Sequence, residues 1–221
     1  MAPRRLNLPN SITVARILAC PLVFVLALSP RVSHLLWAFG LFVLAAASDL
    51  WDGYLARKHN LVTDVGKLLD PLADKLLLVA TFIPFYIVSQ RPDPVTDLPW
   101  WGPLPLWVVL VIFGREVAVT VFRSWAARRG SVVSAGPSGK LKAFAQNIFS
   151  GALLLWYVLA RSARDRGWEG ELLWSIWSEF HGAVVAVSLA VALVLTVYSM
   201  GVYAVQNRAL FTREGRRDTG S

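Results

Sequence analysis

Long apolar runs that recur along the chain constrain its fold more than any other feature of the sequence. Each run is about 20 residues long, which is the length an α-helix needs to cross the hydrocarbon core of a bilayer. Backbone polar groups inside lipid must be satisfied within the spanning segment, which favours helices. The sequence therefore predicts an all-α integral membrane protein. The predicted helices cover 11–29, 33–58, 65–89, 106–128, 141–159 and 182–205.

Composition supports this class. Of the 221 residues, 56% are hydrophobic and only 16% are charged, whereas a soluble domain has about 25% charged residues. We expect one catalytic domain of six transmembrane helices at 1–207, followed by a basic, disordered cytoplasmic tail at 208–221. The net charge of +8 could indicate a nucleic-acid partner, but the basic residues flank apolar runs. That placement favours the lipid bilayer and phosphate-bearing substrates, with no nucleic acid.

The N-terminus has two interpretations. Basic residues precede a short apolar run at 17–28, as in a cleaved signal peptide. No small-x-small cleavage site precedes Ser29 and Pro30, and further apolar runs follow, so we favour an uncleaved first helix that begins after a turn at Pro9-Asn10. Arg16 is either an interface anchor or part of a site. The site is favoured because Asn10 and Thr13 lie near the same helical face.

Two pairs of aspartates lie between the second and third apolar runs. Asp49 and Asp52 are three residues apart, and Asp70 and Asp74 are four apart, so each pair shares a helical face. If the two helices pack together, four carboxylates converge and must be protonated or neutralised by cations. Oxygen ligands suit hard divalent ions such as Mg²⁺ or Mn²⁺, and shared carboxylates suit a site with two ions.

These residues form part of the pattern D-x2-D-G-x2-A-R-x8-G-x3-D-x3-D, which spans 49–74. The pattern resembles the signature of the CDP-alcohol phosphatidyltransferases, and all eight fixed positions match. The resemblance covers nearly the whole chain and implies the fold of that family, with its active site at the cytoplasmic face. The matching residues are Asp49, Asp52, Gly53, Ala56, Arg57, Gly66, Asp70 and Asp74.

The resemblance also implies roles for individual residues. The expected reaction is displacement of CMP from CDP-diacylglycerol by an alcohol. Asp70 and Asp74 are expected to be catalytic, with Asp74 as the general base, and two Mg²⁺ or Mn²⁺ ions would be bound by Asp49, Asp52, Asp70 and Asp74. The expected CDP-binding residues are Asp52, Gly53, Ala56, Arg57 and Gly66, together with Asn10 and Thr13 of the N-terminal stretch P-N-x-x-T-x-x-R.

The segments GREVAVTVFRS and GKLKAFAQ are similar to the fourth and fifth helices of the phosphatidylglycerophosphate synthase branch of this family. In that branch, basic residues are thought to hold the phosphate of the acceptor, glycerol 3-phosphate. The matching positions are Arg115, Arg123, Lys140 and Lys142. Two simpler interpretations compete with this one. The basic residues could be the ordinary positive-inside excess, and Arg115 could form only a structural ion pair with Glu116.

Loop charges predict the orientation. Most Lys and Arg residues lie in the N-terminus, at 57–67, at 123–142 and in the tail, which places both termini and the aspartates in the cytoplasm. The opposite loops include 90–105 and an external connection at 161–180, for which a short interfacial helix is expected. The expected localisation is a bacterial-type inner or cell membrane, with both termini and the active site in the cytoplasm, and the resemblance implies a homodimer.

Other functions compete with this prediction. Phosphatidylglycerol, an inositol phosphate or serine could be the acceptor in the same chemistry, and phosphatidylglycerol, as in a cardiolipin synthase, is the nearest of these. A cation transporter could also use four aspartates. However, they cluster near one membrane face, and Gly53, Arg57 and Gly66 would then have no purpose. A purely structural membrane protein is disfavoured because burying unused carboxylates is costly.

Overall fold

The computed structural model is helical over most of the residues it describes, which are 8–58, 64–129 and 137–206. Within these ranges, side chains are described except at 8–9, 50, 52–58, 64, 67, 137–138, 140 and 206. No β-strand occurs in the described ranges, and the prediction of a six-helix membrane fold is confirmed. The helices are α1 (Leu8–Ala27), α2 (Val32–Lys58), α3 (Asp64–Ser89), α4 (Leu106–Arg128), α5 (Pro137–Arg166) and α6 (Leu172–Gln206), with short 3₁₀ turns at Pro94–Thr96 and Trp168–Gly170.

Five of the six described helices are long and apolar enough to cross a membrane. The helix that does not meet this test is α4, because Arg115, Glu116 and Arg123 lie close together along it. Charged groups at this depth are expensive in lipid and usually face a protein interior or a polar cavity. Arg115 and Glu116 follow that rule, because their side chains are only 10% and 17% exposed.

The predicted boundaries of α1, α5 and α6 are wrong by several residues. The expected turn at Pro9-Asn10 lies inside the first turns of α1, where a proline is tolerated because its missing N–H has no partner there in any case. The expected external connection at 161–180 is much shorter, because α5 continues to Arg166 and α6 already begins at Leu172.

An aromatic stack explains the early start of α6. Trp174, Trp177 and His181 have helical spacing and lie on one face of α6, where they pack against Trp156 of α5. The Trp177 and His181 rings are 4.6 Å apart and nearly parallel, and Trp156 and Trp177 are 5.8 Å apart. The His181 Nε2 atom also lies 2.9 Å from the carbonyl oxygen of Ala152. Burial of large aromatic surface of this kind stabilises helix where a loop was expected.

The structure divides into two compact units. The first unit comprises Met1–Leu104 and Asn147–Ala186, and the second comprises Pro105–Gln146 and Val187–Ser221. In the first unit, α1 packs against both α2 and α3. Its core holds an aromatic cluster in which Phe149 of α5 contacts Phe82 and Phe85 of α3, with ring centroids 5.3 and 6.0 Å apart.

The connection between α3 and α4 is fastened by hydrogen bonds. Ser89 Oγ accepts from the backbone N–H of Leu104 at 3.0 Å, and Tyr157 donates its hydroxyl to the carbonyl of Thr96 at 3.0 Å. Gly182 of α6 approaches this connection so closely that an added Cβ would lie 3.0 Å from Pro99 Cβ. A side chain at position 182 would therefore crowd a rigid proline ring.

Asp93 joins this connection to the end of α5. Its carboxylate accepts from Arg161 and Arg164, each at 2.6 Å, and from the backbone N–H of Val95 at 3.2 Å. Partial burial favours the neutral form, but the hydrogen bonds and charges of these partners outweigh it and hold the pKa of Asp93 below its ordinary value. The ionised carboxylate therefore fixes the connection to α5 at neutral pH.

In the second unit, α4 buries a face made of small and β-branched residues. Phe122 packs edge-to-face against Tyr203 of α6, with ring centroids 5.4 Å apart. Gln146 of α5 donates to the Thr196 hydroxyl of α6 at 3.4 Å. These contacts join α4, the start of α5 and the end of α6.

Candidate active site

The polar face of α1 is buried despite its hydrophilic side chains. Asn10, Thr13 and Arg16 recur every three residues and are each at most 3% exposed. Burying polar groups costs free energy unless they are hydrogen-bonded or paired. The partners of Thr13 and Arg16 include aspartates of the predicted signature, which turns this face of α1 into one wall of the candidate site.

Arg16 bridges two aspartates from different helices. Its Nη1 atom lies 2.6 Å from Asp49 Oδ1 on α2 and 3.3 Å from Asp74 Oδ1 on α3. The Arg16 side chain is 1% exposed, whereas that of Asp74 is 60% exposed. The guanidinium therefore approaches from the protein interior, and the carboxylates keep an open side. Two carboxylates from neighbouring helices thus converge on a single positive charge.

Asp70 belongs to the same wall. Thr13 of α1 donates its hydroxyl to Asp70 Oδ1 at 3.1 Å. Asp70 lies one turn before Asp74 on α3, so both carboxylates face α1. The structure thus brings Asp49, Asp70 and Asp74 to the face of α1 that carries Thr13 and Arg16.

The donor set fits a hard divalent cation. Carboxylate oxygens are the ligands that Mg²⁺ and Mn²⁺ prefer, and Asp49 and Asp74 already converge on a cationic group. Among the described side chains, no three His, Cys, Asp or Glu residues are close enough together to form a metal cluster. The fourth predicted ligand, Asp52, has a side chain outside the described set.

The rest of the predicted nucleotide site is only partly described. Asp52, Gly53, Ala56 and Arg57 lie in the last turns of α2, and their side chains are outside the described set. Gly66 is buried in the first turn of α3. The structure therefore places all of these residues on the two helices that carry the aspartates.

A second polar group lies inside the second unit. Glu116 of α4 accepts from Arg115 at 3.2 Å and also pairs with Lys142 of α5. All three side chains are largely buried, and that of Lys142 is 5% exposed. Gly139 lies against Arg115, because a Cβ added there would be 3.8 Å from Arg115 Nη2.

Arg123 and Lys140 are the other two predicted phosphate-binding residues. The guanidinium of Arg123 lies over the Tyr203 ring, 5.8 Å from its centroid, a cation–π contact. Lys140 lies on α5, and its side chain is outside the described set. The aspartates belong to the first unit and these basic residues to the second.

Two relationships were not predicted from the sequence. Arg16 was predicted to line a site, but its bridge between Asp49 and Asp74 was not foreseen. The three-residue spacing of Asn10, Thr13 and Arg16 was the available signal. The sequence indicates Arg115 as the partner of Glu116, and nothing in it connects Glu116 with Lys142, which lies 26 residues away.

Comparison with known proteins identifies the class. The family model for CDP-alcohol phosphatidyltransferases matches residues 6–198, and the chain belongs to that family. It is therefore an enzyme of this type and an integral membrane protein. The family uses divalent metals.

Three relatives show which members of the family this chain is similar to. The chain is 45% identical to a CDP-diacylglycerol–glycerol-3-phosphate 3-phosphatidyltransferase of Bacillus subtilis, covering 67% of this chain and 77% of the relative. It is 37% identical to a protein of the same description from Rickettsia typhi, over 67% of this chain and 76% of the relative. A cardiolipin synthase (CMP-forming) of Oryza sativa is 36% identical over 59% of this chain and 39% of the relative.

Proposed function

We propose that the chain transfers the phosphatidyl group of CDP-diacylglycerol to glycerol 3-phosphate, giving phosphatidylglycerophosphate and CMP in phospholipid biosynthesis. The observation that carries the chemistry is the convergence of Asp49 and Asp74 on Arg16, with Asp70 beside them. Relatives described as acting on these two substrates support the choice of acceptor.

Two divalent ions, Mg²⁺ or Mn²⁺, would be held by Asp49, Asp52, Asp70 and Asp74. When bound, they would neutralise the pyrophosphate and stabilise the charge that develops on the leaving CMP. The open side of Asp74 supports this assignment, since its carboxylate is accessible from the side away from Arg16.

Asp74 is our candidate for the general base. The acceptor hydroxyl oxygen forms a bond to the phosphorus that carries diacylglycerol, and the bond from that phosphorus to CMP breaks. The hydroxyl proton passes to the Asp74 carboxylate. Asp70 is the second catalytic carboxylate, and its hydrogen bond from Thr13 holds it in one orientation.

The nucleotide would bind along the end of α2 and the start of α3. Gly53, Ala56 and Gly66 would leave room for the cytosine and ribose to approach the backbone, and Arg57 would bind phosphate through its planar fork of donors. Asn10, Thr13 and Asp52 would complete this subsite.

The acceptor phosphate would be held by the basic residues of α4 and α5. Arg115 and Lys142 are cationic side chains kept inside the protein by Glu116, and Arg123 is oriented by Tyr203. Lys140 would complete the set. An acceptor that carries a phosphate needs such partners, whereas a neutral alcohol does not.

The orientation follows the loop charges. Both termini and the active site would face the cytoplasm, where glycerol 3-phosphate and metal arrive, while the diacylglycerol tails stay in lipid. The family resemblance supports a homodimer.

Phosphatidylglycerol is the second candidate acceptor, because a cardiolipin synthase is among the similar proteins. The deciding experiment measures CMP release by the purified protein in detergent with CDP-diacylglycerol and Mg²⁺. Glycerol 3-phosphate, phosphatidylglycerol, an inositol phosphate and serine are compared as acceptors. We expect release to depend on glycerol 3-phosphate. Release only with phosphatidylglycerol would reject the proposed acceptor and keep the chemistry.

A further inference from the structure

Glu116 is the shared anionic partner of two cations in the second unit. It accepts from Arg115 at 3.2 Å and pairs with Lys142 across the interface of α4 and α5. Lys142 and Arg115 have side chains that are 5% and 10% exposed. The group of Arg115, Glu116 and Lys142, called the Glu116 triad, therefore contains two cations and one anion whose side chains are 5–17% exposed.

Buried cations are costly unless an anion is close. A phosphate-binding site is occupied for only part of each catalytic cycle, so its cations need another partner when the site is empty. The carboxylate of Glu116 meets this need from within the protein. Its position one residue after Arg115 and across from Lys142 lets one charge serve both.

We propose that Glu116 is a positioning residue of the acceptor site. It holds Arg115 and Lys142 in place while the site is empty, and its negative charge limits how tightly an acceptor phosphate binds. This inference rests on the proposed function, in which these two cations bind the phosphate of the acceptor. It assigns a role to an acidic side chain in a site otherwise built from basic ones.

The charge balance explains why such a residue is useful. The two cations and the one carboxylate leave a single net positive charge in the Glu116 triad. A phosphate monoester is attracted to that charge, but less strongly than to two unopposed cations. The lipid product keeps the same phosphate monoester, so weaker binding of this group to the Glu116 triad allows the product to dissociate.

Replacement of Glu116→Gln tests the idea, because it removes the charge and keeps a similar volume and a hydrogen-bonding side chain. We expect KM for glycerol 3-phosphate to fall about threefold to tenfold, kcat to fall, and KM for CDP-diacylglycerol to stay the same. The melting temperature should fall in phosphate-free buffer and should rise more than that of the wild type when inorganic phosphate or glycerol 3-phosphate is added. Glu179→Gln, an exposed position on α6, is the matched control and should behave as the wild type.

A second variant keeps the test valid if Glu116→Gln folds poorly. Removing both members of a buried pair costs less than removing one, so Glu116→Gln combined with Lys142→Met should recover stability in phosphate-free buffer. The inference is overturned if Glu116→Gln keeps the wild-type KM and the wild-type response of its melting temperature to phosphate. It is also overturned if the double variant is less stable than Glu116→Gln alone.

The same data separate this inference from the proposed function. If glycerol 3-phosphate supports no CMP release by the wild type, the proposed acceptor fails whatever Glu116 does. A second outcome is that the wild type uses glycerol 3-phosphate while Glu116→Gln has the same KM for it and the same response of the melting temperature to phosphate. In that case only the positioning role of Glu116 fails.

Discussion

Arg16 and Asp49 are 33 residues apart in sequence and 2.6 Å apart in the structure. The same Arg16 nitrogen reaches Asp74 at 3.3 Å, so one buried guanidinium joins α1, α2 and α3 at the carboxylates of the candidate active site. We interpret it as an internal cation that keeps these two carboxylates close to each other. Paired carboxylates without any cation would repel and separate.

Replacing Arg16 should make stability depend on metal. In Arg16→Gln, Asp49 and Asp74 lose their shared positive partner. We expect a loss of about 1–2 kcal/mol in metal-free buffer, a modest value because both carboxylates are partly exposed. Added Mg²⁺ should recover more stability in this variant than in the wild type. The measurement is the melting temperature in detergent, with EDTA and with Mg²⁺.

Arg31→Gln is the control for this experiment, because Arg31 is an exposed arginine at the start of α2. It should show the metal response of the wild type. An Arg16→Gln protein with that same response would mean that the bridge has no part in organising the carboxylates.

Loss of either proposed catalytic carboxylate, Asp70 or Asp74, should strongly lower activity without unfolding the protein. We expect Asp70→Asn and Asp74→Asn each to lower the rate of CMP release by a factor of about 10² or more, since a general base contributes 10²–10⁴. Both side chains are exposed, so the melting temperature should fall no more than in Arg16→Gln.

Asp165→Asn, at the exposed end of α5, should keep normal activity. Activity near the wild-type level in both Asp70→Asn and Asp74→Asn would reject the assigned roles of these two residues.

Loss of a proposed phosphate-binding cation should change the KM for one substrate more than the KM for the other. In Lys142→Ala and Arg123→Ala, we expect the apparent KM for glycerol 3-phosphate to rise about tenfold or more, because a charge-assisted contact to phosphate is lost. The KM for CDP-diacylglycerol should change much less. Arg128 is exposed in the last turn of α4, the helix that carries Arg123. The Arg128→Ala control should leave both KM values unchanged. An unaltered acceptor KM in both Lys142→Ala and Arg123→Ala would remove the phosphate-binding role.

The ion pairs of Asp93 should contribute stability that depends on pH. Because its pKa is lower in the folded protein than in the unfolded chain, the stabilisation is fully present above the unfolded value of about 3.9. It declines as the pH falls through the folded value. Asp93→Asn should therefore cost about 1–3 kcal/mol at pH 7, and the difference from the wild type should shrink below about pH 4.

Thermal unfolding from pH 3 to pH 8 checks this, with the exposed Glu169→Gln as the control. If the stability difference between Asp93→Asn and the wild type stayed constant over the whole pH range, the ionised Asp93 carboxylate would not be the source of the stabilisation.

The sequence predicted the helices well where the apolar runs have polar ends. The bounds of α2, α3 and α4 agree with the structure to within one residue, because charged or proline-rich segments limit each of them. The prediction failed at the end of α5 and the start of α6. There Trp156, Trp174 and Trp177 stack with His181, and such packing between helices is not visible in the periodicity of either one.

In the candidate site, the sequence likewise predicted pairs within one helix but not contacts between helices. Spacing alone paired Asp49 with Asp52 and Asp70 with Asp74, because residues on one helix have a fixed geometry. The contacts that bridge helices, from Arg16 to two aspartates and from Glu116 to Lys142, depend on how helices pack. Local sequence carries little information about such distant pairs.

The most direct test of the proposed reaction follows the atoms of the acceptor into the lipid product. The purified protein is given CDP-diacylglycerol, Mg²⁺ and ¹³C-labelled glycerol 3-phosphate, and the lipids are analysed by mass spectrometry beside the Asp74→Asn variant. We predict labelled phosphatidylglycerophosphate in a one-to-one ratio with CMP from the wild type and almost none from the variant. Absence of labelled lipid from the folded wild-type protein in the presence of Mg²⁺ would contradict the proposed function.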